Sequence, residues 1–448
     1  FKEVLPRNYQ IIEEIDRRYL EEYAEVHEAS LLERTRIIID DQVHMAHLAI
    51  IGSHSVNGVA KLHSDLLKSV VLHDFYQIFP ERFNNKTNGI AQRRWLQLAN
   101  RPLAKVLDTT IGTSWRTNPQ DLQLLKNYQE DPAVLQRLAD AKLANKQALA
   151  EYIQQTTGIE VDPTAIFDVQ IKRLHAYKRQ LLNVMHILKL YFDLKDDPQT
   201  PIHPRVFIFG AKAAPSYHYA KAIIKVINEV ANLINHDPAI NDKLKVVFLE
   251  NYNVTLAERI IPAADVSEQI SLASKEASGT SNMKLMLNGA VTIATLDGAN
   301  IEIRDAIGDE NIAIFGLTEE EVYAYYAQQN YSAYGYYEED PVLQRVVNAF
   351  IDGTIPNIER EGREVFDSLL KYNDEYFLLK DFKSYCDAQY RVDLAYKDQQ
   401  RWQAISLMNI ANAGNFSADY TVQNYADDIW QIEPLYAHVK EPNSASLT

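Results

Sequence analysis

The sequence holds a single cysteine, Cys386, in 448 residues. That excludes an internal disulfide and the stapled scaffolds of small secreted domains, and it fits a reducing, cytoplasmic compartment. There is no surplus of positive charge: 61 Asp and Glu against 45 Lys and Arg leave a formal charge of -16. Phosphate backbones and anionic membranes reward a basic footprint, so general nucleic-acid or membrane-surface binding is not expected, and any anion site must be a local basic pocket. No apolar run approaches membrane-spanning length, and no N-terminal targeting segment is visible, though a missing native start would hide one. No G-x-G-x-x-G follows the first predicted strand, which disfavours a nicotinamide cofactor. The paired carboxylates of a glycoside hydrolase are not evident, and no metal site is expected. What is present is 46% apolar content in a chain long enough for two or three domains with substantial cores.

Apolar residues recur at helical spacing from Asn8 to Leu32, and Met45 to Leu72 reads as a helix-rich stretch broken at Gly52 and Gly58. The polar section from Asp121 to Gln155 reads as amphipathic helices with solvated Lys/Glu/Gln faces and no obvious chemistry. From about Ala165 the pattern changes to short β-rich runs, each followed by a loop and a helical segment. Ile166–Ile171, Val206–Gly210, Val246–Leu249, Val291–Thr295 and Ile312–Gly316 are the predicted strands. Their alternation with helices predicts an α/β fold with a parallel sheet covered on both faces, whose ligands bind beyond the carboxyl ends of the strands. The Tyr-rich segment Tyr323 to Tyr337 reads as a helix surface and loop with half-buried rings rather than a sugar platform. Helices are expected from Asp381 to Trp430.

Two stretches carry chemistry. In Lys275–Lys284, the small residues Ser278, Gly279, Thr280 and Ser281 let the backbone turn tightly and aim successive N–H groups at one point, a few positions ahead of Lys284. Beside Met283, Leu285, Met286 and Leu287 that lysine would be partly desolvated, which disfavours the ammonium and frees the amine for Schiff-base chemistry. The local composition alone favours a Ser/Gly helix cap followed by a solvated lysine over that reading. The second stretch, Lys172–Arg179, places four cations in eight residues just after a buried strand. Arg173 can grip a phosphate with a planar fork, and the lysines act as compact point charges. An exposed basic helix start remains the alternative.

The block KEASGTSNMKLMLNGAVTIATLDGANIEI, Lys275 to Ile303, resembles the pyridoxal-phosphate segment of the α-1,4-glucan phosphorylases. The same family is matched in order by GSHSVNGVAKLHSDLLK (Gly52 to Lys68), NKTNGIAQRRW (Asn85 to Trp95), FDVQIKRLHAYKRQLLN (Phe167 to Asn183) and IPAADVSEQIS (Ile261 to Ser271). The resemblance implies a two-lobed glycosyltransferase of GT-B type. Residues 1–90 would be a mostly helical remnant of its N-terminal lobe, and 91–448 its Rossmann-like, cofactor-bearing C-terminal domain with C-terminal helices. It further implies that Lys284 carries pyridoxal 5′-phosphate, and that Lys172 and Lys178 hold the cofactor phosphate with the N–H groups of Thr280 and Ser281. Tyr252 and Trp95 would line that pocket. Arg173 would meet the substrate phosphate and complete a catalytic set with Lys172 and Lys178. Sugar contacts would come from Asn88, Tyr177, Glu276, Ala277, Ser278 and Gly279. The implied reaction is phosphorolysis of a terminal α-1,4-linked glucose of glycogen or maltodextrin to glucose 1-phosphate with retention.

The resemblance covers essentially the whole chain but only the C-terminal half or so of the family's catalytic polypeptide. The chain opens at Phe1 without Met, so a fragment or one piece of a cleaved enzyme is expected, lacking half the cleft. Such a piece would associate with its missing half or with itself as a homodimer; a non-catalytic cofactor- or glucan-binding role is the alternative. Three positions depart from the family's frequent residues: Ser281 for glycine, Ala176 for glutamate, and Asn253 for an arginine of animal enzymes. Of these only Ser281 lies in the phosphate loop, where its N–H remains available.

Overall fold

The computed structural model describes residues 1–240 and 242–433. Six strands form one sheet: β1 (Ile166–Ile171), β2 (Arg205–Gly210), β3 (Leu244–Leu249), β4 (Val266–Gln269), β5 (Val291–Ala294) and β6 (Ala313–Ile314). Their spatial order is β6-β5-β4-β1-β2-β3, and every pairing is parallel. From β1 the chain winds outward to β3, crosses back to β4 and winds the other way. This doubly wound order places a switch point between β1 and β4, where the following loops diverge and leave a crevice.

All residues of β1 and β2 are buried. Val206 and Ile208 of β2 join one apolar core, Phe207 and Phe209 the other, so both faces of the sheet are covered. The sequence pattern legibly marks five strands and misses β4. Val266, Ser267, Glu268 and Gln269 are all buried, yet three of the four are polar and carry no apolar run. Side-chain hydrogen bonds engage them instead, one of them from far along the chain. Gln389 donates to Glu268 Oε1 at 2.7 Å, and Gln269 donates to Ser267 Oγ at 3.0 Å.

The helices used below are α1 (Pro6–Tyr23), α2 (Lys61–Leu66), α3 (Pro132–Thr157), α4 (Gln180–Asp196), α5 (His218–Asn235), α6 (Val254–Ala263), α7 (Ser281–Leu287), α8 (Asn300–Ile307), α9 (Leu378–Lys397), α10 (Gln399–Asn412) and α11 (Ala418–Tyr425). The longest, α3, begins where the Asp131 side chain accepts from the Ala133 and Val134 N–H groups ahead of Pro132, and it ends at left-handed Gly158. Its lysines correct the expectation of a uniformly solvated face. Lys142 donates to the carbonyls of Pro262 (3.0 Å), Ala264 (2.6 Å) and Asn288 (2.9 Å). Lys146 is buried, pairs with Asp265 at 2.6 Å and donates to Ala165 O at 2.6 Å. Those groups sit just before β4, β5 and β1, so α3 pins the amino ends of three neighbouring strands. Burial pushes the Lys142 ammonium down to about 8.

Residues 19–83 hold a small core of their own around Tyr19, Leu32, Phe75, Phe79 and Phe83. Between the two glycines predicted to break a helix, Val56–Gly58 forms a strand paired in parallel with Phe83–Asn85. This part is tied to the C-terminal helices. Ile90 exchanges backbone hydrogen bonds with Phe416 and Ala418 at 2.8 Å each, and Asn57 donates to the Tyr425 hydroxyl at 2.8 Å. Among the Tyr-rich residues, Tyr331 is half-buried and donates to Asp374 at 2.8 Å, in keeping with a packing role. No helix among the described residues is long and apolar enough to cross a membrane.

Candidate functional site

The loops after β1 and β4 meet at the switch point because Arg179 joins them. It is a buried non-glycine residue in left-handed conformation (φ 56°) at the start of α4. Its guanidinium donates to Ile270 O at 2.7 Å, in the segment after β4, and pairs with Asp381 of α9 at 2.7 Å. A buried, paired charge of this kind holds backbone in a conformation it would otherwise leave.

Around this junction lies a cavity of about 410 Å³. Its wall carries Asn88, Lys172, Lys178, Tyr252, Glu276, Ala277, Ser278, Gly279, Thr280, Ser281 and Lys284, all expected from the sequence. Trp95 lies behind this wall, with Lys284 Nζ 4.5 Å above the centre of its ring. Tyr177 stands beside it, its ring 4.7 Å from Lys178 Nζ. Arg173 is exposed and apart from the wall; its carbonyl accepts from Gln180 at 3.1 Å, while its guanidinium makes no hydrogen bond or ion pair among the described residues.

Three lysines at one wall have three different electrostatic settings. Lys172 donates to Glu268 O at 2.7 Å and to Gln269 Oε1 at 2.9 Å; burial, with Lys178 nearby, pushes its ammonium down to about 8. Lys178 is pulled down by burial, but its ion pair with Glu276, aided by Tyr177, outweighs that and the net shift is upward. Lys284 Nζ faces the indole of Trp95 and has no hydrogen-bond or ion-pair partner among the described residues, and burial lowers it. An ammonium fixed by Glu276, a second held among neutral acceptors, and a third whose charged form burial disfavours are thus gathered together.

The backbone adds donors. The N–H groups of residues 277–281 donate to no acceptor among the described residues, and Thr280 is the cap of α7, which carries Lys284 on its fourth residue. Gly279 turns here with φ 78°. Cations and aligned N–H groups suit a phosphate, and the Glu276 carboxylate with the Asn88 amide suits hydroxyl groups. Glycine at 210 leaves room for the Tyr252 ring, which a Cβ there would approach to 3.2 Å.

Sequence reasoning missed Gln269 and Asp297. Gln269 accepts from Lys172 and donates to Ser281 Oγ at 3.2 Å, joining the two constellations; it was hidden because β4 was hidden. Asp297 lies in an Asp-Gly pair, an ordinary turn signal that does not announce its carboxylate partners, all distant in sequence.

The family pattern of the carbohydrate phosphorylases matches residues 1–432. The glycogen phosphorylase of Bacillus subtilis is 52% identical over 437 residues, which are 97% of this chain and 55% of that relative. That of Synechocystis is 45% identical over 447 residues, 98% of this chain and 52% of the relative. The muscle form from Oryctolagus cuniculus is 42% identical over 445 residues, 98% and 53% respectively. The chain spans about half the length of the curated relatives it matches.

Proposed function

The chain belongs to the carbohydrate phosphorylase family, and from that premise we propose that it is the cofactor-bearing part of an α-1,4-glucan phosphorylase of two-lobed, GT-B type. Residues 1–90 belong in this reading to the N-terminal lobe, the rest to the C-terminal one. The observation that carries the proposal is the single wall on which Lys172, Lys178, five unengaged N–H groups and the lowered amine of Lys284 converge.

That donor set fits pyridoxal 5′-phosphate. Lys284 would hold its aldehyde carbon, Lys172 and Lys178 with the N–H groups of Thr280 and Ser281 its phosphate, and Tyr252 and Trp95 its ring. When bound, the cofactor supplies a phosphate that supports proton transfer to and from the substrate phosphate.

This chain's residues do the binding and orienting. Arg173, exposed and unpaired among the described residues, grips inorganic phosphate as a fork. Two phosphates side by side repel strongly, and Lys172 and Lys178 offset that repulsion in a poorly solvated pocket. A phosphate drawing on Lys178 also competes with Glu276 for it, leaving that carboxylate to accept from a glucosyl hydroxyl. Asn88, Tyr177 and the backbone of Ala277, Ser278 and Gly279 complete the sugar site. With the ring so oriented, a phosphate O–H gives its proton to the glycosidic oxygen as the C1–O bond breaks. A phosphate oxygen then bonds to C1 on the same face, giving glucose 1-phosphate and a glucan one unit shorter. The partners are therefore phosphate, an α-1,4-glucan and the polypeptide that completes the cleft, in the cytoplasm.

Borohydride reduction with pyridoxal phosphate, peptide mass mapping and a maltodextrin phosphorolysis assay on one sample test the reading. An adduct at Lys284 is expected. Glucose 1-phosphate release would mean that the cleft is completed, and an adduct without turnover would assign this chain the cofactor-holding role alone. No adduct at Lys284 would overturn the proposal.

A further inference from the structure

Asp297 is 1% exposed and lies in the turn after β5. Its carboxylate accepts four hydrogen bonds. Oδ2 receives the Glu276 N–H at 2.8 Å and Ser271 Oγ at 3.2 Å. Oδ1 receives the Ser274 N–H at 3.0 Å and His63 Nε2 of α2 at 3.0 Å. A buried carboxylate is tolerated only when donors surround it, and here three of the four donors belong to the segment that carries Glu276.

The neighbouring residue extends the same contact. Gly298 has φ 51°, and a Cβ there would lie 2.7 Å from both Glu276 O and Ser278 O. Ala299 N donates to Ser278 O at 3.0 Å. The carbonyls of Glu276 and Ser278 are therefore turned back against the Asp297–Ala299 turn. In a trans peptide the N–H points opposite to its carbonyl, so the N–H groups of Ala277 and Gly279 are turned the other way, toward the cavity. The same turn reaches the other wall through His63. Close by, Glu302 of α8 accepts from Lys61 N at 3.0 Å and Thr87 Oγ1 at 2.8 Å, next to Asn88.

We infer that Asp297 is a positioning residue: it fixes the Glu276–Gly279 backbone, and through His63 it sets that loop relative to the wall bearing Asn88, so that a glucosyl group meets both at once. The inference rests on the proposed sugar site; Asp297 itself does not line the cavity.

Asp297→Asn keeps the shape but faces amide hydrogens toward N–H donors. Three readouts on the full chain loaded with pyridoxal phosphate decide the matter. Affinity for glucose 1-phosphate, by calorimetry, is expected to fall about tenfold to hundredfold, the scale of losing charge-assisted hydrogen bonds. Reduction-trapped label at Lys284 is expected to stay within about twofold, since no cofactor ligand is removed. Amide hydrogen exchange at Ser274 and Glu276 is expected to accelerate while the amides of β1 and β2 keep their protection. In a cycle with Glu276→Gln the two affinity losses should be strongly non-additive. Unchanged exchange at Ser274 and Glu276 overturns the inference whether or not ligand binds. Unchanged sugar affinity does so too, as does a loss of label and melting temperature in step with affinity, which would mark a merely structural role. A parent chain that takes up no label or binds no glucose 1-phosphate counts instead against the function proposed above, and the exchange readout still stands. Should Asp297→Asn fail to fold, His63→Ala removes only the outer donor and is expected to weaken sugar affinity about threefold without touching the label.

Discussion

The two ends of the central sheet both bring lysine ammonium groups into enclosed settings, and they treat them in opposite ways. At the amino ends, Lys142 is surrounded by three carbonyls and Lys146 by Asp265 and a carbonyl. At the carboxyl ends, Lys172 has two acceptors, Lys178 has Glu276, and Lys284 has the face of Trp95. Burial pushes Lys142 and Lys172 alike down to about 8. A depressed lysine is therefore no mark of function by itself. What separates the two ends is whether the donors are used up: the amino-end pair is saturated by the fold, whereas the carboxyl-end set shares a cavity with five N–H groups that no acceptor among the described residues engages.

The most severe way to test that contrast is to remove one lysine from each end. Lys284→Ala should abolish the borohydride-trapped adduct altogether, read by peptide mass mapping, with little change in melting temperature. Lys142→Met should do the reverse: leaving three carbonyls without their donor is expected to cost about 3 kcal/mol in urea unfolding, with cofactor affinity unchanged. If Lys142→Met also emptied the cofactor site, the two ends would not be separable.

Raising the pH from 7 to 9 sharpens the comparison without mutation. Both ammonium groups have folded values below their unfolded ones, so the folded chain binds fewer protons across this window and stability should rise slightly with pH through both. Phosphate binding needs the ammonium of Lys172. Pyridoxal phosphate affinity is accordingly expected to fall as pH passes about 8, by up to about tenfold per pH unit. Parallel thermal melts and cofactor titrations should diverge; a parallel fall would tie the binding loss to unfolding. The smallest effect is reserved for Ser281→Gly. The serine hydroxyl lies within hydrogen-bond distance of the Gln269 side-chain amide and its N–H is kept by glycine, so cofactor affinity should change less than about threefold in the same titration.

Much of this was legible in the sequence, and unequally so. Strands such as Arg205–Gly210 announce themselves by an unbroken apolar run, Val206 to Phe209, and alternation with helices gives the parallel sheet. The site loops were legible because small residues and cations cluster within each of them. Strand β4 was not, since its Ser267, Glu268 and Gln269 are buried on long-range partners such as Gln389 and Lys172. Lys142 and Lys146 were read as a solvated face for the same reason: their acceptors lie about 120 residues away and leave no trace in local periodicity. Asp297 differs from an ordinary turn aspartate only through Ser271, Ser274, Glu276 and His63.

The ladder between Ile90 and the start of α11, reinforced by Asn57 on Tyr425, has a consequence for how the protein comes into being. Gln92 and Asp419, which also meet there, are 327 residues apart. During synthesis, Asn88 and its neighbours leave the ribosome well ahead of the helix that holds them in place and wait for it on the order of tens of seconds at ordinary elongation rates. Until then that wall is held by other long-range ties, such as the one from α2 to α8, whose residues themselves emerge some 240 positions apart. The sugar-facing side of the cavity is thus among the last parts to be assembled, and a chaperone that shields the segment around Asn88 during that interval would raise the yield of the whole.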